Sequence, residues 1–193
     1  MSHDDPISRF QDAFDRARAA STSDPTAAAL ATADESGAPS VRMVLLKHAD
    51  ERGFVFYTNR TSRKGAEIDK NPRAALCFYW PELGEQVRVE GTIEQVSDAE
   101  SDAYFKTRPR ESQLGAWASR QSRQLESRDI LLERFQDLGE EYDGKPIPRP
   151  PWWGGYRVRP RRIEFWRHGD YRLHERELYV RGEGGWLHVL LNP

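Results

Sequence analysis

Arg73-Ala-Ala-Leu-Cys-Phe-Tyr-Trp80-Pro-Glu-Leu-Gly84-Glu-Gln86-Val-Arg-Val-Glu-Gly-Thr-Ile-Glu-Gln-Val96 is the stretch that decides the fold. It reads as two strands, residues 73–80 and 86–96, flanking Pro81-Glu-Leu-Gly84. A join this short makes neighbouring strands antiparallel. Working back from it, residues 54–58, 41–47 and 27–33 read as strands, joined through Asp50-Glu-Arg-Gly53 and Glu35-Ser-Gly-Ala-Pro39 at hairpin-like lengths. A short helix over 62–70, closed by Asn71-Pro72, interrupts them. Ile7, Phe10, Phe14 and Ala17 recur at helical spacing behind Asp4, Asp5 and Pro6, which predicts an amphipathic first helix.

Working forward, Ser97-Asp-Ala-Glu100 matches a capping box and opens a helix carrying Tyr104 and Arg108. Residues 126–142 are helical in period, and proline-rich 144–151 is a surface loop. Strands over 155–158, 163–167, 171–180 and 186–190 complete the set. Strands at close intervals, interrupted by helices rather than alternating with them, predict a mainly β (α+β) fold, an antiparallel barrel with peripheral helices. One domain over 1–193 is expected: a first helix within 1–20, a helical insertion over 97–143, and barrel-completing strands over 152–193. No GxGxxG or GxxxxGK[ST] loop supports a nucleotide fold.

Lys+Arg number 29 against Asp+Glu 31, a net charge of -2, which argues against bulk binding to nucleic acid or an anionic membrane. The single cysteine, Cys77, allows no intrachain disulfide and reads as a buried small hydrophobe. No apolar run approaches about 18 residues, so a cytoplasmic, membrane-free protein is expected. The histidines His3, His48, His168, His174 and His188 lack paired ligand spacing, so no metal is expected.

Three regions carry chemistry. Tyr104 and Arg108 are four apart and share a helix face, while Pro109 ends that helix and turns Ser112 back toward them. A guanidinium fork flanked by hydroxyls suits a phosphate monoester, although a solvated helix face has the same spacing. In the second region, Arg42 shares a strand face with Val44 and Leu46, and Lys47 shares the other with Met43 and Leu45. Ser62-Arg63-Lys64 puts two cations at a helix N-terminus, unfavourable unless an anion docks there; the alternative is two solvated cations. Two phosphate cradles are thus available, Arg42 with Arg63 and Lys64, and Lys47 with Tyr104, Arg108 and Ser112. In the third, Arg172, His174 and Arg176 alternate and are expected on one strand face, where a lone histidine could equally be structural.

Arg42-Met-Val-Leu-Leu-Lys47, Phe54-Val-Phe-Tyr-Thr-Asn59, Ser62-Arg-Lys64, Gln86-Val-Arg-Val-Glu-Gly91, Arg108-Pro-Arg-Glu-Ser-Gln-Leu-Gly-Ala-Trp-Ala-Ser119, Trp153-Gly-Gly-Tyr156, Ile163-Glu-Phe-Trp166 and Arg172-Leu-His174, in this order, resemble the pyridoxamine 5'-phosphate oxidases. The resemblance implies a split β-barrel homodimer with FMN in a cleft between subunits. It assigns Arg42, Met43, Val44, Leu45, Leu46, Lys47, Tyr57, Thr58, Arg63, Lys64, Gln86, Gln121, Ser122, Trp166 and Arg176 to FMN. It assigns Lys47, Tyr104, Arg108, Ser112, Arg172, Leu173 and His174 to the phosphorylated pyridine, with Arg172 and His174 nearest the chemistry. The implied reaction oxidises pyridoxine or pyridoxamine 5'-phosphate to pyridoxal 5'-phosphate, and dioxygen becomes hydrogen peroxide. Rival readings are a flavin oxidase acting on a phenazine-type aromatic and a flavin- or pyridoxal-phosphate-binding protein without turnover. Glu85 departs from the family's usual arginine, which would reverse a charge beside the flavin site.

Overall fold

The computed structural model describes residues 5–20 and 24–193; Asp4 and His3, named above, lie outside them. Its elements are α1 (Pro6–Ala20), β1 (Ala27–Ala33), β2 (Pro39–Leu45), β3 (His48–Asp50), β4 (Gly53–Asn59), α2 (Arg63–Lys70), β5 (Arg73–Trp80) and β6 (Glu85–Gln95). There follow α3 (Asp98–Thr107), α4 (Arg110–Ala118), α5 (Arg128–Glu141), β7 (Trp153–Arg167), β8 (Glu175–Gly182) and β9 (Gly185–Leu190). Among the described residues the strand pairings are antiparallel, in the order β2-β1-β5-β6-β7-β4-β3, with β8 beside β7 and β9 beside β8. The two ends of that path, β2 and β3, are joined by Leu46 and Lys47 alone. The sheet must therefore curl until its ends meet, which makes the barrel. Its split comes from β7: residues 153–158 pair with β4, whereas residues 162–167 pair with β8.

Inside the curl lie Leu30, Phe54, Phe56, Leu76, Phe78, Trp80, Val87, Val89, Tyr156, Val158 and Ile163. Helix α1 closes it with Ile7, Phe10, Ala13 and Ala17, the stripe expected of an amphipathic helix. The Phe10 ring meets Phe54 edge-on at 4.8 Å and Phe78 at 5.1 Å. Burying such a ring stabilises by about 2–3 kcal/mol. Ion pairs pin the helix at both ends: Arg9 to Glu177 at 2.5 Å and Arg16 to both Glu85 oxygens at 2.9 and 2.8 Å. Glu85 thus has a structural partner in the first helix, with Arg167 a further 3.4 Å away.

Four expectations need correction. Strand β2 covers Pro39–Leu45 and not 41–47, because Leu46 and Lys47 turn into β3, where their N–H groups donate to Thr26 and Val55. Residues 155–158 and 163–167 are one continuous strand; Pro160 lacks a ladder donor, and a bulge at Glu90/Gly91 absorbs the fault. The helix that carries Tyr104 does not carry Arg108: forced extended before proline (φ -72°, ψ 146°), Arg108 ends α3, and Pro109 caps the next helix, α4. Lastly, residues 171–174 are not strand. Tyr171 and Arg172 take left-handed φ of 57° and 65° in a 3-10 turn, so Arg172, His174 and Arg176 do not alternate on one face. Among the described residues no helix is long and apolar enough to cross a membrane, and no metal-ligand cluster exists.

Candidate active site

Adjacent residues of β4, Tyr57 and Thr58, face opposite ways and introduce two anchors. On the Thr58 side, α2 begins at Ser62, whose hydroxyl caps Gly65 N–H. Lys64 on its first turn is buried, and its Nζ donates to Gln121 Oε1 at 2.7 Å, Thr58 Oγ1 at 3.2 Å and Ser62 Oγ at 3.2 Å. Burial, then the charge of Arg42, lowers the Lys64 pKa to about 8. Beside it Glu67, 6% exposed, gathers Arg63 Nε at 2.8 Å, Arg42 Nη2 at 3.2 Å and the hydroxyls of Ser40 and Thr32. Burial pushes the Glu67 carboxyl up, but those hydroxyls, Arg63 and the Arg42 charge overcome it and hold the pKa at about 2. Arg42, Arg63, Lys64, Thr58 and Gln121 are therefore brought together as expected. Ser122, also expected here, sits next to Gln121 at φ 68°.

On the Tyr57 side three rings form a slab. Tyr57 stacks on Tyr104 at 4.1 Å and on Trp153 at 5.3 Å, all nearly parallel. Two glycines make room: a Cβ on Gly155 would lie 2.7 Å from Tyr57 Cε1, and one on Gly154 would strike the Arg60 guanidinium at 2.3 Å. Gly155→Ala is expected to displace Tyr57 and destabilise the fold by about 1–3 kcal/mol, readable as a lowered urea midpoint. Arg108 lies over this slab, its Cζ 4.8 Å from the Trp153 centroid. Its Nη1 is buried with no hydrogen-bond partner. Burial lowers its pKa, opposed by Tyr104. Ser112 is half-buried on α4. Lys47 is exposed, within electrostatic reach of Asp24, and makes no hydrogen bond to Tyr104, Arg108 or Ser112 among the described residues.

A third group sits at the other end of β7. Gln86, Trp166 and Arg176 form one cross-strand row over β6, β7 and β8. The His174 ring packs on Trp166 at 4.6 Å, and its Nδ1 accepts from Gly169 N–H at 3.2 Å, which leaves the proton of a neutral imidazole on Nε2. Arg172 and Leu173 project from the left-handed turn and are exposed. Glu164, 3% exposed, bridges Arg88 and Arg176 Nε, the latter at 2.9 Å. On β2, Val44 packs on the core, while Val41, Met43 and Leu45 are an exposed apolar row; Leu46, just past the strand, is buried.

Residue reading missed Glu67, Thr32 and Ser40 as parts of these groups, whereas Trp153 and Glu164 stand inside runs quoted above without a role of their own. Only Glu67 left a trace, as the i+4 partner of Arg63.

A curled antiparallel split barrel with a cationic group on each face of one strand defines the class of fold. The comparisons narrow it. Residues 14–140 match the family model described as pyridoxamine 5'-phosphate oxidase, and residues 153–193 match the pyridoxine 5'-phosphate oxidase C-terminal dimerisation region. The chain belongs to the pyridoxamine 5'-phosphate oxidase family. It is 61% identical over 189 residues to the pyridoxine/pyridoxamine 5'-phosphate oxidase of Anaeromyxobacter dehalogenans (strain 2CP-C), covering 98% of this chain and 96% of the relative. The oxidase of that name from Rubrobacter xylanophilus is 59% identical, covering 98% and 87%. Among solved structures, PhzG from Burkholderia lata 383, in complex with tetrahydrophenazine-1-carboxylic acid, superposes with a TM-score of 0.94 at 34% identity, covering 98% and 93%.

Proposed function

We propose that this protein oxidises pyridoxine or pyridoxamine 5'-phosphate to pyridoxal 5'-phosphate with FMN as cofactor, as the names of its close relatives suggest. The overall change balances. The alcohol and dioxygen give aldehyde and hydrogen peroxide; the amine needs one water more and also releases ammonia. The observation that carries the reading is the Arg108 guanidinium, charged, buried at Nη1 and unpartnered, beside a separate Lys64 anchor. A substrate without phosphate would leave that donor desolvated and unpaired, which argues against a phenazine-type substrate.

The donor set suits a flavin phosphate. The Lys64 ammonium donates only to neutral oxygens, and Arg63 lies with it at the start of α2. Thr58, Gln121 and Ser122 would border the same site, with Arg42 behind them. When bound, FMN would supply a two-electron acceptor that dioxygen regenerates. Tyr104, Arg108 and Ser112 would hold the substrate phosphate, with Lys47 completing the set. Holding the ring in place over the acceptor is where this chain contributes most, since orientation alone is worth up to ~7–11 kcal/mol in ideal cases. Arg172, Leu173 and His174 would cover the ring, His174 offering its Nε2 proton as a donor. Gln86, Trp166 and Arg176 would contact the flavin.

These last residues stand at the far end of β7 from Trp153 and Arg108. Thirteen residue steps of strand span roughly 40 Å, too far for one small ligand to touch both ends in one chain. In a homodimer, one subunit would supply Tyr104 and Arg108, and its partner Arg172 and His174. The exposed apolar row Val41, Met43 and Leu45 beside the alanines of β1 fits burial in such a homodimer.

The test is an assay on purified protein. It should be yellow, release FMN on denaturation, and form peroxide one for one with pyridoxal 5'-phosphate from pyridoxine 5'-phosphate. Equal or faster turnover of unphosphorylated pyridoxine or a reduced phenazine would reject the assignment.

A further inference from the structure

The cations of the two anchors sit in opposite electrostatic settings. Arg42 and Arg63 share the Glu67 carboxylate, so part of their charge is already neutralised. Arg108 has no carboxylate partner among the described residues; it lies 4.8 Å over the Trp153 ring and 5.6 Å from Phe105. An aromatic face holds a guanidinium in position through its quadrupole while leaving the charge and the N–H donors free. A carboxylate would hold it equally well, but would occupy the donors a phosphate needs.

We infer that Trp153 is a positioning residue for the substrate phosphate, seating Arg108 without neutralising it. The inference rests on the oxidase reading and deepens it, since it names the group that makes the phosphate anchor selective. Trp153 is suited to the task by its own surroundings. It is 6% exposed, held flat against Tyr57 and Tyr104, and packed edge-on by Phe105 at 5.1 Å. Its plane is therefore fixed before any ligand arrives, and the guanidinium above it is fixed with it. The same slab carries Tyr104, whose phenol is within electrostatic reach of Arg108.

The test is a double-mutant cycle on the FMN-loaded protein, reading equilibrium binding of pyridoxal 5'-phosphate and, in parallel, of pyridoxal. Trp153→Leu is expected to weaken pyridoxal 5'-phosphate about tenfold when Arg108 is present and hardly at all in Arg108→Ala, because its effect passes through that guanidinium. Trp153→Phe, a weaker cation seat, should lose only about threefold, again only with Arg108 present, and this arm carries the cycle if Trp153→Leu does not fold. Pyridoxal affinity should stay within about twofold throughout, because no phosphate contact is at stake. Equal losses in both Arg108 backgrounds, or a matching loss for pyridoxal, would mean ordinary packing and overturn this inference alone. Wild-type protein that binds pyridoxal as tightly as its phosphate would overturn the oxidase reading, and this inference with it.

Discussion

FMN affinity is expected to be flat with pH up to about 8 and then to fall by as much as about tenfold per pH unit, because Lys64 loses its charge there. The group is buried among neutral oxygens and beside Arg42, so its proton is held less firmly than in an ordinary lysine. A phosphate dianion needs the charged form; the linkage therefore acts on the free protein from about pH 8 upward. The sign for folding is the reverse. Between pH 8 and 10.5 the unfolded chain binds more protons at this position than the ligand-free folded chain, so the stability of the apoprotein should rise across that window through this group. Lys64→Met separates the two effects. It should weaken FMN about 100-fold or more at pH 7, in line with loss of a charge-assisted phosphate contact, remove the pH dependence above 8, and leave the apoprotein at least as stable. Fluorescence titration of free FMN from pH 7 to 9.5, with urea denaturation of the apoprotein, measures both. Affinity unchanged in the variant, or flat through pH 9.5 in the wild type, would remove Lys64 from the cofactor site.

How much of this was legible beforehand depends on whether the deciding interaction was local. The strands on either side of Pro81-Glu-Leu-Gly84 and the Ser97–Glu100 capping box rest on neighbours in sequence, and they appear where the pattern put them. The Lys64 anchor was readable for the same reason: cations at a helix start carry their own electrostatic cost. Glu67 was not readable, because its burial needs the register that sets Thr32 opposite Ser40, and nothing near Glu67 encodes that pairing. Arg172 and His174 misled in the opposite direction. Alternation of Arg172, His174 and Arg176 imitates a strand, but Gly169 leaves no room for a side chain against Leu173 O, and the segment closes into a left-handed turn instead. The role inferred for Trp153 stayed hidden because it depends on α3 and the start of β7 lying face to face.

Two inactive variants are expected to restore each other. Arg108→Ala removes the proposed phosphate anchor beside Trp153, and Arg172→Ala removes the guanidinium on the turn beyond the other end of β7; each homodimer should lose most of its turnover, about 100-fold or more, as expected for charged contacts to substrate. If one site draws Arg108 from one subunit and Arg172 from its partner, a mixed dimer of the two variants has one site with both replacements and one with neither. Random assembly of equal amounts makes about half of all dimers mixed, each with one intact site of two, so coexpressed protein should recover about a quarter of wild-type activity. If both residues served a site within one chain, every mixed dimer would carry one defect in each site and recovery would be absent. The distinction is large, needs no knowledge of ligand pose, and follows from β7 alone. The strand that pairs with β4 at its beginning pairs with β8 at its end, and the proposed shared site would need a second copy to bring those two ends together. Coexpression with two affinity tags, purification of the doubly tagged dimer and peroxide assay gives the answer: about half of wild-type turnover for the pure mixed dimer, against none if the site lies within a single chain.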